Sequence, residues 1–325
     1  MSSLRHWKRS APAWLLAGLL AACGGGGTTD SSSTATAAAT TLTTTSATGL
    51  QQQPGAPAQT GDTATDGFNW INYRRVQAGL PALTRNSLID AAALAHSNYQ
   101  KTNNVVTHTE VAGNPGFTGA TLLDRFTTAG YVFGAASYAY GEVISATTDS
   151  SGFTAAEGLI TAIYHRFVIF EPVFKESGAG AAATAGGYTY FTDDFAANNG
   201  YGPGVGSGNI AVYPFAGQTK VPVNFFSDNE SPDPVPNQNE VGYPISVHAD
   251  ISGSIAVTSF TVRQHGAASD LPVRLLTNAA DADTPLSAAA IIPLAVLSAG
   301  TTYDVSFTGT VSSVSVTRNW SFTTQ

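Results

Sequence analysis

The stretch Leu159-Ile-Thr-Ala-Ile-Tyr-His-Arg-Phe-Val-Ile-Phe-Glu-Pro172 places one imidazole, His165, in a mostly apolar segment. Its apolar residues recur at helical spacing, and the preceding Thr154-Ala-Ala-Glu157 fits a capping box, which predicts one helix that ends at Pro172. His165 would lie on the side of that helix where the small residues are, away from the apolar stripe. His165 is therefore either a structural histidine at a helix end, with its ring hydrogen-bonded, or one member of a functional site.

Helices precede this segment and strands follow it. Three earlier helices are expected, beginning at Asp66, Asn86 and Thr121. Two strands are expected at residues 188–195 and 210–215, and the glycine-rich runs 178–187 and 200–208 are interpreted as loops. Helices followed by strands in one compact unit predict an α+β domain over residues 66–215.

The last part of the chain follows a different pattern. Residues 216–240 are rich in proline and acidic residues, which predicts a linker. From residue 241 apolar residues alternate with polar ones, and short strands at this spacing predict an all-β sandwich over residues 241–325. The segments 297–303 and 320–324 resemble those of bacterial Ig-like modules, so we expect a spacer or binding module here.

The first residues have the features of an export signal. Arg5, Lys8 and Arg9 precede a short apolar run, which predicts a signal peptide over residues 1–22. The segment Leu20-Ala-Ala-Cys23 resembles the bacterial lipoprotein processing box, which implies cleavage before Cys23 and a lipid on its thiol. That lipid would anchor the protein in a bilayer, and Gly24 at the next position favours the outer membrane or cell surface. The alternative is an ordinary cleaved signal followed by a stray cysteine.

Composition limits the partners and the chemistry. Residues 23–65 are mostly Thr, Ser, Ala, Gly and Gln, which predicts a disordered tether. Loss of the leader removes three basic and no acidic residues, so the net charge of -8 becomes -11, which argues against nucleic acid as a partner. Cys23 is the only cysteine, so a disulfide within the chain or a cysteine metal cluster is excluded.

Eight short motifs follow one another in a set order in the middle of the chain. They are residues 72–83, 92–99, 107–108, 125 with 129–131, 141–142, 164–166, 178–180 and 188–195. In this order they resemble the CAP superfamily of cysteine-rich secretory proteins, antigen 5 and pathogenesis-related 1 proteins, in its disulfide-free bacterial branch. The resemblance implies an α-β-α sandwich with a surface cleft lined by two histidines and one or two glutamates.

The resemblance assigns three residues of this chain to that cleft. His108 and Glu142 fall on matching positions, and His165 lies where the bacterial branch has its second histidine. Two departures stand out: Val143 replaces the usual Asn after the glutamate, and the second glutamate has no clear counterpart. Glu142 itself is expected in a Gly-Glu-Val turn.

Two kinds of chemistry are open to His108, Glu142 and His165. Two neutral imidazoles and a carboxylate could hold a divalent metal such as zinc, with a position open for water. Alternatively, the carboxylate could orient a histidine that acts as a general base. No His-Glu-x-x-His, Gly-x-Ser-x-Gly, phosphate-loop or dinucleotide motif occurs to decide between them.

The remaining polar residues of interest have structural interpretations. We expect His96 to be part of a helix face and Glu157 to cap a helix. Asp193 and Asp194 are expected at a strand end, in turn and solvation roles. Arg166 is expected to pair with helix-end carbonyls or a carboxylate.

Three functions fit these expectations. The leading one is a surface-tethered lipoprotein that binds a lipid, sterol or cell-wall fragment in the cleft lined by His108, Glu142 and His165. The second is a hydrolase, protease-like, that uses the same residues with a metal. The third is an adhesive or structural spacer that acts through the Ig-like module.

Overall fold

The structure is a computed structural model that describes residues 47–325. The predicted signal peptide 1–22, the lipidation residue Cys23 and the first part of the predicted tether lie outside the described residues. The later part of the tether prediction is wrong, because Ala47–Gln51 is helical and Leu50 is only 2% exposed in the hydrophobic core. Between residues 47 and 325, no helix is both long and apolar enough to cross a membrane.

Most of the described helices begin at a side-chain cap. They are α1 Ala47–Gln51, α2 Thr63–Gln77, α3 Ser87–Asn103, α4 Leu122–Thr128, α5 Gly152–Thr161 and α6 Ile163–Ile169. Asn86 and Thr121 accept hydrogen bonds from N–H groups of the first turns of α3 and α4, which confirms the predicted starts. Helix α2 begins earlier than predicted, because Asp62 rather than Asp66 is its N-cap.

The single helix predicted up to Pro172 is two helices. Ala162 between α5 and α6 has an extended conformation, with ψ 121°, so the helix breaks there. The predicted capping box is also wrong, because the side chain of Ser151 caps α5 by accepting from the Thr154 N–H. The break leaves the first N–H groups of α6 without partners in its own helix.

The strands occur in two separate regions of the chain. They are β1 Thr84–Arg85, β2 Ala139–Thr147, β3 Glu176–Ala183, β4 Thr189–Ala197, β5 Ala211–Tyr213, β6 Asn224–Phe226, β7 Glu240–Gly242, β8 Ile245–His248, β9 Ile255–Gln264, β10 Val273–Thr277, β11 Ala288–Pro293, β12 Thr302–Val311 and β13 Val314–Thr323. Strand β2 contains Glu142, so the turn expected at that residue is wrong.

Helices cover both faces of the first sheet, whose strand order is β1-β3-β4-β2. On one face α3 lies so close that a Cβ on Gly180 would be 2.1 Å from the Leu94 nitrogen. On the other face α2 also packs closely, because a Cβ on Gly67 of this helix would be 2.4 Å from the ring of Phe191 in β4. The small residues expected to form a loop after 178 are therefore strand β3, and the layers are α-β-α.

The C-terminal region consists of antiparallel sheets. A four-stranded sheet, β10-β11-β8-β5, and a three-stranded sheet, β13-β12-β9, share one hydrophobic cluster. Burial alternates along β12, as the period-two pattern predicts. Strand β5 was assigned to the first domain, but it pairs with β8 and so belongs to this region.

Two features join the halves of the chain. The predicted linker 216–240 is ordered by the pairing of β6 with β7, and its Glu230 is 2% exposed. Arg166 is fully buried and donates to the carbonyls of Ile160 in α5 and Pro244 next to β8, at 2.5 and 2.6 Å. The expected role of Arg166 at helix-end carbonyls is confirmed, and it also ties α6 to the C-terminal sheet.

Candidate functional site

His108 and Glu142 form a directly hydrogen-bonded pair. The Nδ1 atom of His108, in the loop after α3, lies 2.8 Å from Oε1 of Glu142 in β2. The other carboxylate oxygen of Glu142 accepts from Nη2 of Arg125 in α4 at 2.5 Å, and Nη1 of Arg125 donates to the His108 carbonyl at 3.0 Å. Arg125 thus holds both members of the pair in place.

The surroundings of Glu142 keep it ionised. Burial by itself would raise the pKa of Glu142, but the charge of Arg125 and the neighbouring imidazoles hold it well below its usual range. Asp194, opposite Glu142 on β4, is fully buried, and burial together with the Glu142 charge raises its pKa well above the usual value. The pKa values of these two neighbouring carboxyls are therefore shifted in opposite directions.

His96 lies next to Glu142, and both of its ring nitrogens have hydrogen-bond partners. Its Nδ1 lies 2.9 Å from Oε1 of Glu110, and its Nε2 lies 2.7 Å from the Thr107 carbonyl. The Nε2 atom is also 4.0 Å from Oε2 of Glu142. His96 is fully buried, as expected for a residue with a structural role.

His165 is oriented by Glu230, which lies between β6 and β7, after the strands of the first sheet. Its Nδ1 lies 2.9 Å from Oε1 of Glu230. The Nε2 atom of the same ring is buried and has no hydrogen-bond partner. His165 borders a cavity of about 20 Å³ that His108 and Glu142 also line. The structure thus brings the three predicted residues to one cavity.

A larger cleft of about 150 Å³ adjoins this cavity and shares His108, Glu142, Val168 and Asp283 with it. One wall comes from the first half of the chain and is mostly apolar, with Leu122, Tyr140, Phe167, Val168 and Phe174. The opposite wall comes from the C-terminal region, with Ile251, Ala282, Asp283, Pro285 and Leu286. The cleft is therefore a space between the two halves of the chain.

The predicted set of three metal ligands does not form. Both carboxylate oxygens of Glu142 are occupied, by His108 and by Arg125. Among the described residues, no three His, Cys, Asp or Glu side chains are grouped to hold a metal ion. Of the three predicted residues, only His108 and His165 keep an atom free to coordinate a metal, the Nε2 nitrogen of each ring. Catalytic zinc sites have three protein ligands, so two are too few. Zinc binding by His108, Glu142 and His165 together does not fit this arrangement.

Comparison with known families identifies the unit that carries the histidines. Residues 68–195 match the model of CAP, the cysteine-rich secretory protein family. These residues form a CAP domain. The match includes His108, Glu142 and His165, but Glu230 and the second wall of the cleft lie beyond it. No curated protein matches the chain.

Several solved structures are similar to part of this chain. An extracellular protein with an SCP domain from Bacillus anthracis is 26% identical with a TM-score of 0.34, over 41% of this chain and 39% of that one. An outer surface protein from Borrelia burgdorferi is 14% identical with a TM-score of 0.34, over 41% of this chain and 90% of that one. A cysteine-rich secretory protein from Staphylococcus aureus is 15% identical with a TM-score of 0.29, over 43% of this chain and 40% of that one. This chain thus covers less than half of the Bacillus anthracis protein.

Two sequence interpretations in the CAP domain are wrong. Glu157 does not cap a helix, because its carboxylate binds the Arg74 guanidinium in the core. Asp193 and Asp194 are not at a solvated strand end, because β4 continues to Ala197 and both side chains are fully buried. The pKa values of both aspartates are raised well above the usual value by that burial.

Glu230 and Arg125 were not recognised as site residues from the sequence. Arg125 was noted only as part of a motif, and its place beside a glutamate 17 residues away depends on how the fold brings α4 next to β2. Glu230 is 65 residues from His165 in a segment that looked like a linker. The only sequence signal was a histidine in a mostly apolar segment, and it did not specify a partner.

Proposed function

We propose that the protein is exported and binds an extended, partly apolar ligand, such as a lipid or cell-wall fragment, between its CAP domain and its C-terminal region. The observation that carries the proposal is the cleft, whose two walls are largely apolar and which the His108–Glu142 pair also lines. Apolar walls with a few placed polar groups are typical of small-molecule sites.

The size of the cleft limits how a ligand can enter. A volume of about 150 Å³ holds about one benzene-sized apolar group. A longer molecule, such as an acyl chain or a sterol, would therefore extend out of the cleft. This favours a ligand that inserts one end and leaves the rest at the surface.

The charges around the cleft favour an uncharged ligand end. Glu142 and Asp283 line it, and His108 is the one basic side chain in its walls. A third carboxyl in the walls, Glu171, is mostly protonated at neutral pH, because burial raises its pKa to about 8. The charge of Glu142 is already neutralised by Arg125. An anionic group would meet acidic side chains without a free cation, whereas a hydroxyl group meets no such repulsion.

A bulky residue at the mouth of the cleft tests this function. Ala282 is exposed and lines the cleft, whereas Ala280 is exposed in the same loop and does not line it. We expect Ala282→Trp to weaken binding of a dansyl-labelled fatty alcohol at least about tenfold, which corresponds to about 1.4 kcal/mol. Fluorescence titration measures this, and Ala280→Trp is the matched control. Equal affinities for both variants and the wild type would contradict the cleft as the binding site.

A second candidate, hydrolysis, is favoured by the His108–Glu142 pair. A carboxylate that accepts from Nδ1 leaves the Nε2 atom of a neutral His108 free to take a proton from water. Hydrolysis of a fatty-acyl ester by the protein, absent in His108→Ala, would favour this candidate over binding alone.

The surface tether and the type of the C-terminal module complete the proposal. The lipoprotein-like segment before Cys23 supports a lipid anchor, and the four-stranded and three-stranded sheets support an Ig-like sandwich. When the producing cells are fractionated, we expect the Cys23→Ser variant to be lost from the membrane fraction. Recovery of that variant with the membranes, in the same proportion as the wild type, would count against the anchor.

A further inference from the structure

The carboxylate of Glu230 receives an unusual number of N–H donors. Its Oε2 accepts from the Ile163 N–H at 2.8 Å. Its Oε1 accepts from the N–H groups of Tyr164 and His165 at 2.8 and 3.1 Å, and it lies 2.9 Å from the His165 Nδ1 atom. These are the N–H groups that the break at Ala162 leaves free, and Ala162 provides no side-chain cap.

These contacts fix which nitrogen of His165 carries the proton. The side chain of Glu230 is fully buried, and an ionised carboxylate can only accept hydrogen bonds. The Nδ1 atom of His165 must therefore donate, and in a neutral ring the Nε2 atom is then an acceptor. That Nε2 atom is buried and unpartnered in a ring that borders the cavity next to the cleft.

The segment that carries Glu230 is itself held firmly. The Glu230 N–H donates to the Ser227 carbonyl at 3.0 Å, and the Ser227 N–H donates to the Asn239 carbonyl at 2.7 Å. On either side of the segment, β6 pairs with β7. Pro232, two residues after Glu230, lines the same small cavity as His165. The segment thus forms part of the cavity wall as well as orienting the histidine.

We propose that Glu230 is a positioning residue, supplied from outside the CAP domain, that keeps the His165 Nε2 atom as a hydrogen-bond acceptor in the small cavity next to the cleft. The site then selects ligands with a hydroxyl or another donor at the inserted end. The orientation of His165 stands on the contacts of the ligand-free protein. The ligand selection rests on the proposed function.

The tautomer of His165 in the ligand-free protein tests the role of Glu230. We expect two-bond ¹H–¹⁵N spectra, recorded with a chelator at a pH where the ring is neutral, to show Nδ1 protonated and Nε2 bare. Glu230→Leu, which removes the acceptor, should shift the His165 ring toward the Nε2-protonated form, while the exposed control Glu240→Leu leaves it unchanged. A residue that only capped α6 would lower stability without changing the tautomer.

Two results would overturn the role of Glu230. One is an Nε2-protonated His165 in the wild type, which decides the matter even if Glu230→Leu fails to fold. The other is a folded Glu230→Leu protein whose His165 keeps the wild-type tautomer.

The affinity for two matched probes tests the ligand selection. In the wild type we expect the dansyl-labelled fatty alcohol to bind at least about tenfold more tightly than its methyl ether, which cannot donate a hydrogen bond. In Glu230→Leu this ratio should fall toward one. Equal binding of alcohol and ether by the wild type would refute hydroxyl selection. If neither probe binds, the proposed function fails, and the tautomer measurement still decides the role of Glu230.

Discussion

Replacing Glu157 with Gln is expected to lower the free energy of unfolding by about 3–5 kcal/mol. The carboxylate of Glu157 binds Nε and Nη2 of Arg74 at 2.9 and 3.0 Å, and it accepts from the Trp70 indole at 2.6 Å. The Arg74 side chain is 1% exposed, so removal of the negative charge leaves a buried cation without its partner. Burial by itself would lower the pKa of Arg74, but the charge of Glu157 raises it above the ordinary value.

Chemical denaturation of three variants measures this effect. The exposed Glu240→Gln is the matched control and should change stability by less than about 0.5 kcal/mol. Arg74→Met combined with Glu157→Leu should recover much of the loss, because no unpaired charge remains in the core. A loss below about 1 kcal/mol in Glu157→Gln would show that the pair contributes little.

The stability of the protein is expected to depend on pH through Glu171, which lines the cleft. Burial raises the pKa of Glu171 to about 8, while its Oε1 accepts from the N–H groups of Val173 and Ile251. The folded-state pKa lies above the unfolded value of 4.5. The stability contributed by the proton of Glu171 is therefore fully present below about pH 4.5 and is lost as the pH rises to about 8.

Comparison with Glu171→Gln isolates this contribution from that of other buried carboxyls. Glutamine resembles the protonated carboxyl, so the variant should lose no stability through this site as the pH rises. From pH 5 to pH 8 we expect the wild type to lose stability relative to Glu171→Gln by about 3 kcal/mol. Urea denaturation at both pH values measures the difference, and Glu240→Gln should show none. A difference that stays constant with pH would mean that Glu171 is ionised in the fold.

Local features of the fold could be predicted from the sequence because their causes are local. The cap residues Asn86 and Thr121 accept hydrogen bonds from N–H groups within three residues of themselves. Such helix starts can therefore be recognised from the local sequence. The alternation along β12 likewise reflects one buried and one exposed face of a strand. The motifs that contain His108, Glu142 and His165 also identified the CAP domain correctly.

Features caused by close packing were not predictable in the same way. Strand β3, Glu-Ser-Gly-Ala-Gly-Ala-Ala-Ala, lacks large apolar residues because α3 lies directly on it, and this composition is also typical of loops. The break at Ala162 has a similar origin. No residue near it forbids a helix, but Glu230 from a distant segment satisfies the N–H groups that the break exposes.

Glu230 illustrates the limit of motif reading. It lies outside the residues that match the CAP model, and the composition around it indicated a linker. The structure places Glu230 against His165 because the chain returns to the CAP domain before it enters the C-terminal sheets. Only the path of the backbone reveals this contact.

The central claim is that one ligand contacts both the CAP domain and the C-terminal region in the cleft. Methyl NMR during titration with the fatty alcohol tests it most directly, because Val168 and Leu286 carry methyl groups on the opposite walls. We predict that the methyl signals of both residues shift and saturate at the same ligand concentration. Shifts at Val168 alone, at Leu286 alone or at neither residue would contradict the claim.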